Sequence, residues 1–575
     1  MSLDTNTQIP PSFANMRQEQ LPIPRHKLHG WTHFVGLYAA EHVAATEFVI
    51  GATFVALGAS TMDIVVGLLI GNVLAILSWT LITAPIAVDT RLSLFTYLHK
   101  MGGDTMTNLY NWANVLIFTV ISAAMLTVSS SAVRHLFNIP AQLDWYPNSP
   151  WFVVVVIAVG VVVVLVAMFG FSTLTDFSGV CAPWLFVMFT SGAMVMLPSL
   201  AQSVLGRTNL TGWGDFLQIG NHTIWTGVNS NGKPGIDLLE VIGFAWAANT
   251  IAHFGLIDMA ILRYAKRKIY GLCTSSGMLF GHYVAWISAG IMGAGAAVIL
   301  KKTIAELDPG DVAFQALGAS GYVIVIVAGW TTANANLYRA GLAAQAVFIK
   351  RLSRTQATLA VGVVTVVVAC FPFVFSQMLP LLTYAGLIVV PVGAIVFAEH
   401  VIFPRIGLTR YWVTYRKLNH STPAVVSWVA GLVFGFGLNA LNVIYFYYLF
   451  IPTWIFTIII CTLLARKYGA AEKYPEEEAA ERKKNAAIED YQAQQALSEG
   501  EPVEDHSVLS RVLRGIALAS LVITLVLAAR VMFWSPDASV YEANRDIFYR
   551  YGFVCTIGYF VFAYWALRRR LALNK

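Results

Sequence analysis

Residues 153–171 read VVVVIAVGVVVVLVAMFGF, a run with no charged, amide or hydroxyl side chain. A helix of about 20 residues crosses the roughly 30 Å hydrocarbon core of a bilayer. Only helices and closed barrels satisfy their backbone groups there. The run is continuously apolar rather than alternating, so it reads as a helix and not as a barrel strand. The rest of the chain agrees. Of its 575 residues 57% are hydrophobic and 12% charged, about half the charge of a soluble domain.

Working outward, apolar runs predict an all-α polytopic membrane protein of about fourteen spans. Their positions are 31–58, 62–87, 107–134, 151–171, 178–200, 238–263, 273–300, 320–349, 357–376, 379–400, 424–441, 444–465, 509–534 and 548–568. Basic residues concentrate in alternate connections: Arg91 and Lys100, Lys266 to Lys268, Arg351 and Arg354, Arg405 to Lys417, and Arg568 to Arg570. By the positive-inside bias these loops and both termini are expected in the cytoplasm of a plasma-membrane protein. The net charge of +6 then reflects those loops, and no nucleic-acid partner is expected.

The expected organisation is a cytoplasmic tail (1–29), a twelve-span body (30–466), a charged cytoplasmic linker (467–507), and two added spans with a basic C-terminus (508–575). The tail carries no signal-peptide core. The linker, dense in Glu, Lys, Ala and Gln, reads as a solvated connector. Cys181, Cys273, Cys370, Cys461 and Cys555 stand singly, so neither a disulfide framework nor a metal cluster is read, and no cofactor is expected. The motifs of Ser hydrolases and zinc proteases are missing from the spans, which argues against an enzyme.

Polar chemistry inside the membrane is costly and marks function. Span 1 holds Glu41-His42-Val43-Ala44-Ala45-Thr46-Glu47. Two carboxylates six residues apart do not share a regular helical face. An unwound segment lets both face one cavity, as in transporter sites built from discontinuous helices. The competing reading pairs one of them with a base elsewhere, such as Arg339. Span 8 holds Trp330-Thr331-Thr332-Ala333-Asn334-Ala335-Asn336-Leu337-Tyr338-Arg339. Threonine hydroxyls and carbonyls are hard oxygen ligands suited to Na⁺, and Asn334 and Asn336 offer amides to a heterocycle edge. The same residues also serve as glue between helices. In span 6, Asn249 and His253 are spaced i,i+4 on one face, and Asp258 with Arg263 reads as an ion pair ending the span.

These residues resemble a known family. The span 8 string, with Gly67-Leu68-Leu69-Ile70-Gly71-Asn72, Asn111-Trp112 and Pro391 to Glu399 in matching order, is similar to the nucleobase:cation symporter-1 family, the cytosine and purine permeases. The likeness runs from about residue 30 to 465. It implies a LeuT-type fold: two inverted repeats of five spans (1–5 and 6–10) with peripheral helices. It implies symport of a small heterocycle by alternating access. Trp112 would stack the substrate ring, and Asn336 with Asn334 would bind its edge. Thr331, Thr332 and the carbonyls of Ala328, Ala40 and Val43 would hold Na⁺. Asn249 falls where the family often has an aromatic. Glu41, Glu47 and His253 depart from the pattern, as do the last two spans. Those carboxylates favour a ligand rich in N–H donors or positive charge and leave H⁺ as the alternative coupling ion. A carrier for a cationic amine, amino acid or vitamin precursor on the same fold, or a transporter-like receptor, are the alternatives.

Overall fold

The structure is a computed structural model, and it describes residues 21–169, 171–348, 351–496 and 505–573. The described residues form helices joined by turns, with isolated β-bridges only. Among the described residues, ten helices are long and apolar enough to cross a membrane, including Leu94–His135, Pro150–Phe169, Met378–Arg405 and Val508–Phe533. The other four expected spans are helical too, and each falls short for a physical reason. Spans 1 and 6 are interrupted. Span 1 is Trp31–Glu41 and Thr46–Ala56, with non-helical residues between. Span 6 is Leu238–Ala247, Thr250–His253 and Met259–Leu262. Span 8 is one helix, Ala319–Val347, whose Thr and Asn residues lower its hydropathy. Span 9, Arg354–Ala369, is short.

Packing repeats itself around these breaks. Span 1 packs on span 7 as span 6 packs on span 2. Span 3 runs beside span 4 as span 8 runs beside span 9, and span 5 meets span 8 as span 10 meets span 3. Spans 3 and 8 make the most extensive contact of all. Two similar sets of five spans must be inverted, because an odd number of crossings starts the second set on the opposite side. The fold is therefore the expected 5+5 arrangement, with spans 11 and 12 against span 10 and the last two spans against span 5.

Small residues permit the closest approaches, as is usual between membrane helices. Gly277 and Gly281 of span 7, one turn apart, lie directly on the break in span 1. A Cβ at Gly277 would fall 2.6 Å from Tyr38 O, and one at Gly281 would be driven into His42 O. Gly67 and Gly71 make the same close contact between span 2 and span 6, against Val241 and Ala245.

The linker departs from a purely solvated connector. Its helix, Pro475–Ala496, lies against the body. Glu481 pairs with Lys100 at 2.7 Å, and Glu489 pairs with Arg91 at 2.5 Å and Arg25 at 3.4 Å. Gln492 Nε2 donates to Pro22 O at 2.7 Å, and Ile488 buries Leu21. Acidic residues spaced along one helix meet the basic loops that the body presents at that end. Each exposed pair is weak, so the linker docks through the sum of them. Glu489→Lys sets like charges against Arg91 and Arg25. The expected result is several-fold faster protease cleavage within 475–496 with little change in Tm, reversed by adding Arg91→Glu. Unchanged cleavage would contradict this.

Candidate functional site

The two breaks face each other across one continuous cavity of about 1100 Å³. Its wall includes Glu41, His42, Val43 and Glu47 of span 1, Asn249 and Asp258 of span 6, His282 and Trp286 of span 7, and Thr331, Thr332, Asn336 and Arg339 of span 8. Its lining continues along Thr32, His33 and Leu37 and includes Arg514 and Arg570.

The break in span 1 brings both glutamates to this wall. Glu41 Oε1 accepts from Arg339 Nη2 at 3.1 Å, the alternative partner the sequence suggested. Its Oε2 is buried without a protein partner. Glu47 is only 1% exposed. It accepts from Ala44 N, within the break, at 3.1 Å and from Trp286 Nε1 at 2.9 Å. A carboxylate at the start of a helix also meets the positive end of its dipole. His42 Nδ1 donates to Tyr38 O at 3.0 Å and its ring stands 5.2 Å from His282. The His282 ring stacks on Trp286 at 4.3 Å.

Asn249 sits at the span 6 break with φ −115°. Its Nδ2 lies 3.3 Å from His282 Nδ1 and 3.8 Å from Met278 Sδ, two acceptors for one amide. Asn336 Nδ2 donates to Thr332 O at 2.8 Å. The Thr332 hydroxyl donates to Ala328 O at 2.8 Å and the Thr331 hydroxyl to Val327 O at 2.8 Å. Both hydroxyl oxygens keep lone pairs, and Val43 of span 1 lines the same cavity. Ala40 lies in the last turn of the first half-helix.

Three expected residues stand elsewhere. Trp112 is 50% exposed, with its edge against Phe348 at 5.5 Å, and is not part of the cavity wall. Span 3 reaches the cavity through Phe118 and Ile121. At 100° per residue Trp112 is turned about 120° and 180° from these two positions, so it faces the other way. Asn334 is fully buried and turned from the cavity, its Nδ2 donating to Trp330 O at 3.1 Å. His253 is buried behind the wall, with Nε2 3.1 Å from Trp246 O and its ring 4.7 Å from Trp79. His253 N still donates to Asn249 O at 3.2 Å, but Asn249, the N-cap with a non-helical φ of −115°, is the one of the two that lines the cavity.

The expected Asp258–Arg263 pair does not form. Asp258 Oδ2 accepts from Trp79 Nε1 at 2.7 Å and Tyr38 Oη at 3.1 Å, while Arg263 lies over the Tyr264 ring. Leu256 has φ +64°, which turns the chain just before the short helix Met259–Leu262 that separates the two residues. His282 and Trp286 were missed by sequence reading. The signal was present: an ionisable residue one turn from a Trp in an apolar span that also carries Gly277 and Gly281.

With this geometry in place, likeness to solved structures is informative. The chain superposes on the inward-facing conformation of Mhp1 with a TM-score of 0.62, covering 82% of this chain and 97% of that one at 13% identity. The chain has the fold of Mhp1. A second structure of Mhp1, described as a nucleobase-cation-symport-1 family transporter in a closed conformation with bromovinylhydantoin bound, gives a TM-score of 0.59 over 83% and 99% at 14% identity. Neither protein-family models nor curated proteins give a match. Identity this low speaks for the architecture alone, so the chemistry must be argued from the site itself.

Proposed function

We propose that this chain is a secondary active transporter that imports a small, flat, nucleobase-like heterocycle together with a cation, Na⁺ in preference to H⁺, by alternating access. The observation that carries this reading is the pair of opposed helix breaks around one polar cavity, since freed backbone groups at mid-membrane are tolerated where they line a binding site. Asn249 and Asn336 supply amides to a ring edge, and Glu41 and Glu47 accept from its N–H groups. Thr331, Thr332, Ala328, Ala40 and Val43 supply oxygens to Na⁺. Mhp1, which has the same fold, is described with bromovinylhydantoin bound. With the basic loops and both termini in the cytoplasm, the cavity opens inward and the arrangement is that of substrate release at a plasma membrane.

Three carboxylates on one wall, Glu41, Glu47 and Asp258, favour a second reading, a carrier of cationic amines. The test is uptake into proteoliposomes of uracil, hydantoin and small amines, with NaCl or choline chloride outside. Heterocycle uptake that needs Na⁺ supports the proposal. Uptake of amines alone, indifferent to Na⁺, replaces it with the second reading, and no uptake of either class overturns transport of both.

Two substitutions sharpen the test. Asn336→Ala is expected to raise KM about tenfold with insertion intact, the worth of a lost hydrogen bond to a buried polar group. Thr331→Val with Thr332→Val is expected to abolish the Na⁺ dependence while keeping the helix, because Val copies the shape of Thr and lacks its oxygen. Wild-type kinetics in both would refute the placement of substrate and ion.

A further inference from the structure

The cavity has a side arm that the transport reading does not use. It runs between the last two spans and span 5. In the helix Val508–Phe533, Arg514, Ala517, Leu518 and Leu521 recur at i, i+3, i+4 and i+7, the spacing of one helical face, and all four line the cavity. In the antiparallel helix Ala538–Leu573, Ala563, Ala566, Leu567 and Arg570 recur with the same spacing and line it too. The two stripes match end to end, each with its arginine near the same end of the bundle and its small and apolar residues running inward. Val180 and Pro183 of span 5 line it as well.

The last two spans are firmly seated on span 5, so the arm is a built feature. Trp184 Nε1 donates to Thr556 Oγ1 at 3.2 Å, Tyr559 Oη to Val180 O at 2.6 Å, and Tyr541 Oη to Val195 O at 3.2 Å. Asp505, a carboxylate at this end among the described residues, pairs with Arg569 at 3.3 Å, while Arg514 donates one bond to Asp505 O at 3.2 Å. A guanidinium carries five N–H donors, so Arg514 keeps donors for a ligand.

We infer that this arm holds one anionic phospholipid, its phosphodiester between Arg514 and Arg570 and an acyl chain along Ala517, Leu521, Ala563 and Leu567. Charge decides the occupant. Guanidinium groups grip phosphate oxygens through paired charge-assisted bonds, and basic pockets between membrane helices select anionic headgroups. The arginines stand about 9 Å or less inside the helix ends, by the rise of 1.5 Å per residue, which is headgroup depth. The apolar stripes then lie at acyl-chain depth. The bound lipid closes the side wall of the cavity next to Leu37 of span 1. The inference does not depend on which solute, if any, the chain transports.

The test uses full-length protein purified in neutral detergent. Dioleoylphosphatidylglycerol and dioleoylphosphatidylcholine are added separately, and bound lipid is read by native mass spectrometry and by Tm. One retained phosphatidylglycerol, about tenfold preferred over phosphatidylcholine, with a Tm that rises with its concentration, is the expected result. Arg514→Gln with Arg570→Gln removes the preference. Ala563→Trp, which fills the arm and leaves both arginines in place, removes the retained lipid and carries the test if the double variant does not fold. Equal binding of the two lipids, or a wild-type preference in Ala563→Trp, overturns the inference. So does an equal Tm rise with inorganic phosphate alone, which would make the arm an anion site without a lipid.

Discussion

Arg339→Ala is expected to lower uptake of the transported heterocycle about 5- to 30-fold while the protein still inserts and elutes as a folded species. Arg339 is the base that faces Glu41 across the cavity at 3.1 Å, and the second oxygen of Glu41 is buried without a protein partner. Removing the guanidinium leaves that carboxylate uncompensated. In a dry interior this costs about 3–5 kcal/mol. Here the side chains are 29% and 40% exposed to the cavity, so solvent screening reduces the effect to roughly 1–2 kcal/mol. Glu41→Gln alone should also cut uptake strongly, because the amide no longer accepts from the ligand with both oxygens. Glu41→Gln combined with Arg339→Gln removes both charges and is expected to restore Tm without restoring uptake. Proteoliposome uptake and thermal unfolding read these outcomes separately. Wild-type uptake in either single variant would show that the pair is structural.

Gly281→Val should have the larger effect on stability. The Gly281 Cα packs on the carbonyl of His42, in the middle of the span 1 break, and a Cβ there meets backbone that cannot swing aside. Overpacking costs about 1–3 kcal/mol in a tight core. Relief would come only by moving span 7 away from the break, which also displaces Trp286 from Glu47 and His282 from His42. The expected result is a markedly lower Tm and no measurable uptake. Gly437→Ala in span 11, where a Cβ meets nothing within 4 Å, serves as the control, and helix propensity favours the alanine. If Gly281→Val unfolds at the temperature of Gly437→Ala, span 7 does not hold the break in place.

Much of the architecture was legible because a bilayer is a severe filter. The run at 153–171 admits one structure, and so do most of the other apolar runs. The discontinuity in span 1 was legible as well, since Glu41 and Glu47 reach one cavity only if the helix between them opens. Arg339 was legible as a partner because few bases lie within the spans. The side chains of span 8 were legible as a group but not individually. Thr331, Thr332 and Asn336 lie on the cavity wall, while Asn334, two residues before Asn336, is buried away from it. Nothing in the composition of that helix says which of its faces is turned inward.

The sequence by itself determined that this chain is a helical membrane protein, roughly where its spans lie, and where polar groups enter the hydrocarbon. Those properties follow from local composition measured against the thickness and dryness of a bilayer. Tertiary structure alone decided which of the polar groups meet. It turned Trp112 outward, placed His253 behind the wall, gave Asp258 to Tyr38 and Trp79 instead of Arg263, and brought Trp286 to Glu47 and His282 to His42 and Asn249. Trp112 faces away because Phe118 and Ile121 on the same helix face the cavity; for the groups at spans 1 and 6 the physical reason is the helix breaks. Each frees a half-helix from the 100° periodicity on which sequence reading depends. Beyond a break, side-chain direction is set by what packs against it, here the glycines of span 7.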